Sequence, residues 1–467
     1  MTGDFTRDSF GPEKGFTRVL MQQGRPQLDA DLNEQVAIFW HYWRTMLTDL
    51  VGPYAGPYDR CGFGVITREV TADALTAQER EDLRALFKDP GEFLLSPGRY
   101  YVGGILCENK HYLAYSAHMA HDESLLAPKR NVPYLIYLDV WERPVTSIED
   151  EAIGEPALNG IDTSLRARVT WRVRIAELDK SVYGSGDCNK VKEHWSRITN
   201  AWQPEYRGCL GVRVSDTAEG AERDRDHRHQ EAGYRGPHNQ LYRVEIHHGG
   251  AAGGGASGAT FKVSRENASV IFRIAAIEDS VVTLDTLGRD TRFGLRTGDW
   301  VEIDDAAGHG TTPGPLWQIK KVDASRRQVT LNGSPRHGNL AHRPHMLRRW
   351  DHKAGDSKRG GLELRDGAVV LKEGEGNNNW LSLENGLRIQ FRKSNPANVY
   401  RPGDYWLIPA RVSTGVMWPQ EYGRPKSLPP HGVEHHYAPL AIVSFGSAGV
   451  LETQGDCRLK FNVPVAF

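Results

Sequence analysis

Histidines and paired carboxylates have the widest chemical reach in this sequence, and their spacing decides what they can do. Of 18 histidines, His227 and His229 stand two apart, which on a strand puts both imidazoles on one side, as a metal chelate needs. Their neighbours Glu222, Arg223, Asp224, Arg225, Asp226 and Arg228 are charged, so the run reads as a solvated loop. His247 and His248 form a second cluster, and Glu434-His435-His436, with His431 nearby, a third. Adjacent strand residues point to opposite faces, so His435 and His436 do not readily share a metal; one histidine hydrogen-bonded in the core is expected there.

Acid–base catalysis needs two carboxylates on one rigid surface with their pKa values pushed apart. Asp29 and Asp31 are the nearest candidates, but both stand where a helix begins, a position that stabilises negative charge without any catalysis. No GxSxG, HExxH, P-loop or strand-linked GxGxxG is present. The sequence therefore predicts no enzyme, no metal and no cofactor. Between 341 and 361, Arg343, Arg348, Arg349, Lys353, Lys358 and Arg359 outnumber Asp351 and Asp356, with Trp350 among them. Basic residues interleaved with an aromatic can grip single-stranded nucleic acid. Yet 58 Lys+Arg against 59 Asp+Glu, a net charge of −1, leave no general field for a polyanion, so a turn or an interface to an acidic subunit is the expectation.

The elements that would position these groups follow from length and composition. At 467 residues the chain exceeds what one core usually organises, so two or three domains are expected. Its 49 glycines, 25 prolines and 43 aromatics (12 Trp, 17 Tyr, 14 Phe) suit short strands joined by turns and disfavour a helical bundle or coiled coil. The predicted fold class is mainly β with a few helices: a β-rich multidomain chain of small barrels or sandwiches behind an N-terminal arm and helix. No signal-peptide core and no apolar run of spanning length occurs, so cytoplasmic synthesis without a membrane span is expected. Cys61, Cys107, Cys188, Cys209 and Cys457 are scattered without a CxxC, which predicts reduced, mostly buried thiols.

Residues 1–28 lack either period and read as an extended arm. Leu32, Val36, Phe39, Trp40, Trp43, Met46, Leu47 and Leu50 then recur at three- and four-residue steps, the stripe of an amphipathic helix. Asp31 and Glu34 suggest a capping arrangement, and Gly52-Pro53 a stop. A second helix is predicted with Thr76 as its cap and Glu79 reaching back, running to about Lys88 and completing a helical segment over 29–95. Strands follow: a β-rich region over 96–248, a Gly-rich linker or hairpin tip at 249–258, a small barrel or sandwich over 259–350, and a C-terminal β-rich region over 351–467.

Several longer motifs stand out from this background: Gly3-Asp4-Phe5-Thr6-Arg7-Asp8-Ser9-Phe10, Thr17-Arg18-Val19-Leu20-Met21-Gln22-Gln23-Gly24-Arg25, Leu28-Asp29-Ala30-Asp31-Leu32-Asn33-Glu34-Gln35 and Tyr400-Arg401-Pro402-Gly403-Asp404-Tyr405-Trp406. With Pro133-Tyr134-Leu135-Ile136-Tyr137, Gly298-Asp299-Trp300-Val301-Glu302 and His435-His436-Tyr437-Ala438-Pro439, they make the chain resemble an uncharacterised bacterial family encoded beside phage-tail-like contractile injection systems. The segment Ser264-Arg265-Glu266-Asn267 departs from that family's pattern, so no role is carried to it. The resemblance implies context without chemistry: a structural component whose partners are other protein subunits of such a particle, later released with it. Arm and helix residues Phe5, Arg7, Phe10, Arg18, Met21, Arg25, Asp29 and Asp31 are the expected contacts. The alternatives are a cargo protein, or a glycan-binding appendage stacking sugars on Trp350, Trp380 and Trp418, which sit among polar or turn residues.

Overall fold

Alternating Val, Ile and aromatic residues bounded by Gly, Pro and Asp make strands, and a computed structural model assembles them into a mostly β protein. It describes residues 1–68, 81, 83–118, 129, 132–158, 160–184, 186–203, 206–214, 233–253, 255–288, 290, 292–305, 314–335, 345–355, 360–446 and 449–462. The helix start predicted at Thr76 and Glu79, and the His227/His229 run, lie outside these residues.

After helix α1 (Asp29–Val51), strands β1 (Tyr54–Pro57), β2 (Gly98–Val102) and β3 (Ile105–Asn109) form one sheet, closed at its edge by Lys460–Phe461 running parallel to β1. Strands β4 (Tyr134–Val145) and β5 (Arg166–Glu177) pair along their full length, and the late strands His436–Phe445 and Leu451–Asp456 extend the sheet on the far side of β4. Both faces of β4 are covered, which explains its nearly unbroken apolar run. Ile136 and Leu138 enter a core with Phe63, Phe93, Tyr100 and Leu440. Leu135 and Tyr137 face short helices α2 (Lys180–Tyr183), α3 (Cys188–Glu193) and α4 (Trp195–Trp202), where Trp202 stacks on Tyr137 at 3.9 Å. Cys188 at the start of α3 is joined to the buried Cys457 in a disulfide, with Cα atoms 5.1 Å apart. The expectation of five reduced thiols is corrected for these two. Their separation of 269 residues hid the pairing, which exists because the sheet brings the late strands beside the helices that follow β5.

A second body is a six-stranded sheet centred on β6 (Gln240–Ile246) and β7 (Thr260–Ser264), which the Gly-rich segment joins as an antiparallel hairpin. One face carries Tyr242, Val244, Phe261, Trp406 and Ile408 into a core with Val212, Ile389 and Phe391. The third body is a closed barrel of β8 (Ile271–Glu278), β9 (Val281–Leu284), β10 (Trp300–Asp305), β11 (Leu316–Asp323), β12 (Gln328–Leu331) and β13 (His345–Trp350), filled by Val282, Val301, Ile319, Val329 and Leu347. The barrel is thus nested in the chain of the second body, and the second in that of the first. The consecutive regions 96–248 and 351–467 do not coincide with these cores, because each sheet recruits strands from both sides of an insertion.

The other face of β6 and β7 is charged yet buried, sealed by the barrel. Lys262 Nζ lies 2.6 Å from Glu302 Oε2 of β10 and 3.2 Å from Glu245 Oε1, and the Trp350 indole N–H donates to the same Glu302 oxygen at 2.9 Å. Burial pushes the Glu245 pKa up, but Arg243 and Lys262 outweigh it and hold the carboxyl down at about 2. His352 closes the seam: its Nε2 pairs with the Gly367 carbonyl at 2.7 Å, and its Nδ1 accepts the Val263 N–H at 3.3 Å. That geometry requires the neutral ring, and burial lowers its pKa to about 4. The folded state therefore resists a proton that the unfolded chain takes up near pH 6.5. Stability is full above that pH and is lost as pH falls from 6.5 toward 4, by on the order of 3 kcal/mol for this ring. Urea midpoints across that window should fall for the wild type and fall less for His352→Gln, which keeps both hydrogen bonds without a titrating ring. Equal slopes in the two proteins would refute the assignment.

Candidate functional site

The site with the clearest demand for an occupant is α1. Its first turn carries Asp29 and Asp31 where the helix dipole favours negative charge, and Gly52 ends it by donating its N–H to the Thr48 carbonyl at 2.9 Å. The expected side-chain cap is absent: Leu28 is the N-cap, and Glu34 instead accepts the Ser9 hydroxyl at 2.6 Å. Burial raises the Asp29 pKa, but the Thr6 hydroxyl and N–H, both donating to its carboxylate, bring it below the usual value.

A few residues on one side attach the helix to the body. Ala30 and Ile38 are its only fully buried side chains. Arg44 pairs with Glu142 of β4 at 2.6 Å. Under Arg44 lies Gly104, with φ +73°; a Cβ there would stand 2.8 Å from the Arg44 Cα, so glycine permits this close approach. The arm fixes the other side. Met1 docks on the second body, its carbonyl accepting from Arg243 and Asn267, and Arg411 donates to the Thr6 carbonyl. Phe10 packs on His41, and the Val19 N–H donates to Gln35 at 2.9 Å.

What remains is the apolar stripe, and it faces away from the protein. Leu32 is 69% exposed, Phe39 58%, Trp43 43% and Leu50 75%, with Val36, Trp40, Tyr42 and Met46 exposed among them. Phe16, Leu20 and Met21 of the arm are exposed as well. The seven stripe residues Leu32, Val36, Phe39, Trp40, Trp43, Met46 and Leu50 present on the order of 700 Å² of side-chain surface, more than a monomer's incidental patches, and such a patch marks an interaction site. The periodicity expected of a core-facing stripe is present; its direction is reversed, because docking uses Ala30, Glu34, Ile38 and Arg44.

The expected contact residues divide accordingly. Phe5, Arg7 and Phe10 are half-buried against their own chain, Arg18, Met21, Arg25 and Asp29 are exposed, and Asp31 is intermediate. The arm's first ten residues are thus engaged within the chain, which its lack of periodicity did not reveal. Trp350, Trp380 and Trp418, expected to be open to sugars, are buried, and their indole N–H groups donate to Glu302, the Gly376 carbonyl and the Lys426 carbonyl. Arg213 lies 4.1 Å over the Trp380 ring, covering a face that a sugar would need. Polar neighbours in sequence misled here, because the groups that cover Trp350 and Trp380, Lys262, Arg213 and Arg392, come from other parts of the chain.

Elsewhere most of the candidate chemistry is internally satisfied; the exception is His247, buried with neither ring nitrogen hydrogen-bonded among the described residues. His435 Nδ1 lies 2.5 Å from the buried Asp139, which also accepts from Arg174. Of the basic run, Arg348 and Arg349 on β13 donate to the Ala268 and Gly294 carbonyls. A cavity of about 390 Å³ is lined by Val263, Arg265, Lys353, Leu362 and Glu384, with Arg265 bidentate on Glu384 at 2.6 and 2.7 Å. Among the described residues no group of three His, Cys, Asp or Glu is placed to hold a metal ion, and no helix is long and apolar enough to cross a membrane.

No curated protein and no solved structure matches the chain. Its match over residues 1–205 and 185–464 is to the family described as Family of unknown function (DUF6519), and with nearly the whole length covered the chain belongs to that family.

Proposed function

We propose that this protein is a structural subunit of a multi-protein assembly, joined to its neighbours through the outward face of α1 and the exposed part of the arm. The observation that carries this reading is the reversed helix: the aromatic-rich stripe that ordinarily fills a core points into solvent, and the body is held by the opposite side through Ala30, Ile38 and Arg44. The assembly meant is a phage-tail-like contractile particle, a context resting on the resemblance of the arm and strand motifs. Nothing in this reading asks the chain for chemistry.

The test is incorporation. Deleting the whole arm would strip contacts from Arg243, Asn267 and Arg411, so surface substitutions are the cleaner probe. Phe39→Glu with Trp43→Glu should leave a folded, soluble chain that is depleted at least tenfold from particles purified from the producing cell. Normal incorporation of that variant would overturn the reading.

A further inference from the structure

The apolar residues of α1 repeat as a seam as well as a stripe. Leu32, Val36, Phe39, Trp43, Met46 and Leu50 are spaced four, three, four, three and four residues apart, the alternation of heptad a and d positions, and every one of them is exposed. Composition disfavours a long coiled coil, but this single 23-residue helix holds nearly three heptads of the repeat. The residues that hold it, Ala30, Ile38 and Arg44 toward the body and Glu34 toward Ser9 of the arm, fall at the b, c and f positions on the opposite side. The body is therefore held away from the seam.

We infer that the occupant of this seam is another copy of the same chain, α1 against α1. The inference rests on the assembly reading above and names the partner. Three observations select a like partner. First, a heptad stripe is self-complementary, since the ridges of one copy are spaced to enter the grooves of another. Second, the flanking e and g positions, where charges set partner choice in coiled coils, are Asn33, Gln35, Trp40, Tyr42, Leu47 and Asp49. With one charge, Asp49, among six, these flanking positions set little repulsion against an identical helix and recruit none of opposite charge. Third, about 700 Å² of exposed apolar surface per copy approaches the roughly 800 Å² that each partner contributes to a stable interface. Exposed Trp40 and Tyr42 widen the face beyond a and d, which suits more than two helices.

A membrane surface is the competing occupant of an aromatic amphipathic helix. That role favours lysine and arginine on the polar face, whereas α1 carries Asp29, Asp31, Glu34 and Asp49 against Arg44 alone. Its charge opposes an anionic bilayer.

The deciding measurement is the mass of the full chain by light scattering and sedimentation over a wide dilution series, with anionic and zwitterionic vesicles in parallel. A multiple of the 52.2 kDa protomer is expected. Phe39→Glu with Trp43→Glu should reduce it to the single-chain mass while far-UV circular dichroism is unchanged, and Tyr422→Glu, at a fully exposed turn, should leave it intact. Should the double variant misfold, Leu32→Cys with Leu50→Cys supplies a second arm: oxidation should link two copies, 50 to 50 in a parallel pair or 32 to 50 in an antiparallel one. A wild-type monomer, an oligomer that survives the double substitution, failure of the two cysteines to cross-link copies, or a monomer that sediments with vesicles each overturns the inference. A wild-type monomer whose α1 variant is still lost from particles overturns self-pairing alone. A monomeric variant that incorporates normally overturns the assembly reading and leaves self-pairing standing.

Discussion

Replacing Lys262 with methionine is expected to lower the unfolding free energy by about 3–5 kcal/mol, because it removes one partner of a buried charge pair and strands the other. Lys262 is 4% exposed and its ammonium bridges Glu245 and Glu302 while lying 4.2 Å over the Trp350 ring. Burial alone would lower its pKa, but the two carboxylates outweigh that and raise it, so the ammonium stays charged when folded. Glu245 keeps Arg243 at 2.5 Å after the substitution. Glu302 keeps only the Trp350 N–H among the described residues, too little for a carboxylate out of water. Lys262→Met with Glu302→Gln should therefore cost less than Lys262→Met alone, since it removes the stranded charge as well. Urea titrations compared at constant slope measure both. A loss under about 1 kcal/mol for the single variant, or a double variant less stable than it, would show that water reaches this seam and screens the pair.

Breaking the Cys188–Cys457 disulfide, by reductant or by Cys188→Ser with Cys457→Ser, should destabilise the first body by about 3–5 kcal/mol. The crosslink closes a loop of 269 residues, so its removal restores a large conformational entropy to the unfolded chain. It also frees α3 from the sheet beneath, where Val191, Tyr183 and Leu178 share a small core with Cys457. A fall in the apparent thermal midpoint of about 10 °C corresponds to that change for a body of this size. Cys61, Cys107 and Cys209 are unpaired and act as the internal control: alanine at Cys209 should abolish none of the reductant's effect. A midpoint insensitive to reductant would remove the crosslink from the account of stability.

The parts legible in the sequence share one property, which is that a short window contains them. The period of α1, the alternation in β5 and the strand cadence of the barrel over 271–350 all follow from side-chain spacing. The parts that were not legible depend on what comes to lie opposite. Arg243, Glu245 and Lys262 look like an ordinary solvated strand face until the barrel covers them. Trp380 looks exposed until Arg213 and Arg392 lie against it. Met1 and Gly3 belong to an arm without periodicity, yet they dock against Arg243 and Asn267, more than two hundred residues away.

By itself the sequence determined that α1 is a helix with one aromatic-rich side, that the rest is mainly β, and that the net charge is close to zero. Only the tertiary structure decided that the aromatic side faces out. A periodic pattern specifies which residues share a face, since that is fixed by 3.6 residues per turn. It cannot specify which face meets the body, because that depends on Gly104, Glu142 and the returning arm, whose contacts with α1 exist only after folding. The same physics accounts for the cysteines: pairing needs Cα atoms a few ångströms apart, and for Cys188 and Cys457 the sheet of β4 supplies that distance.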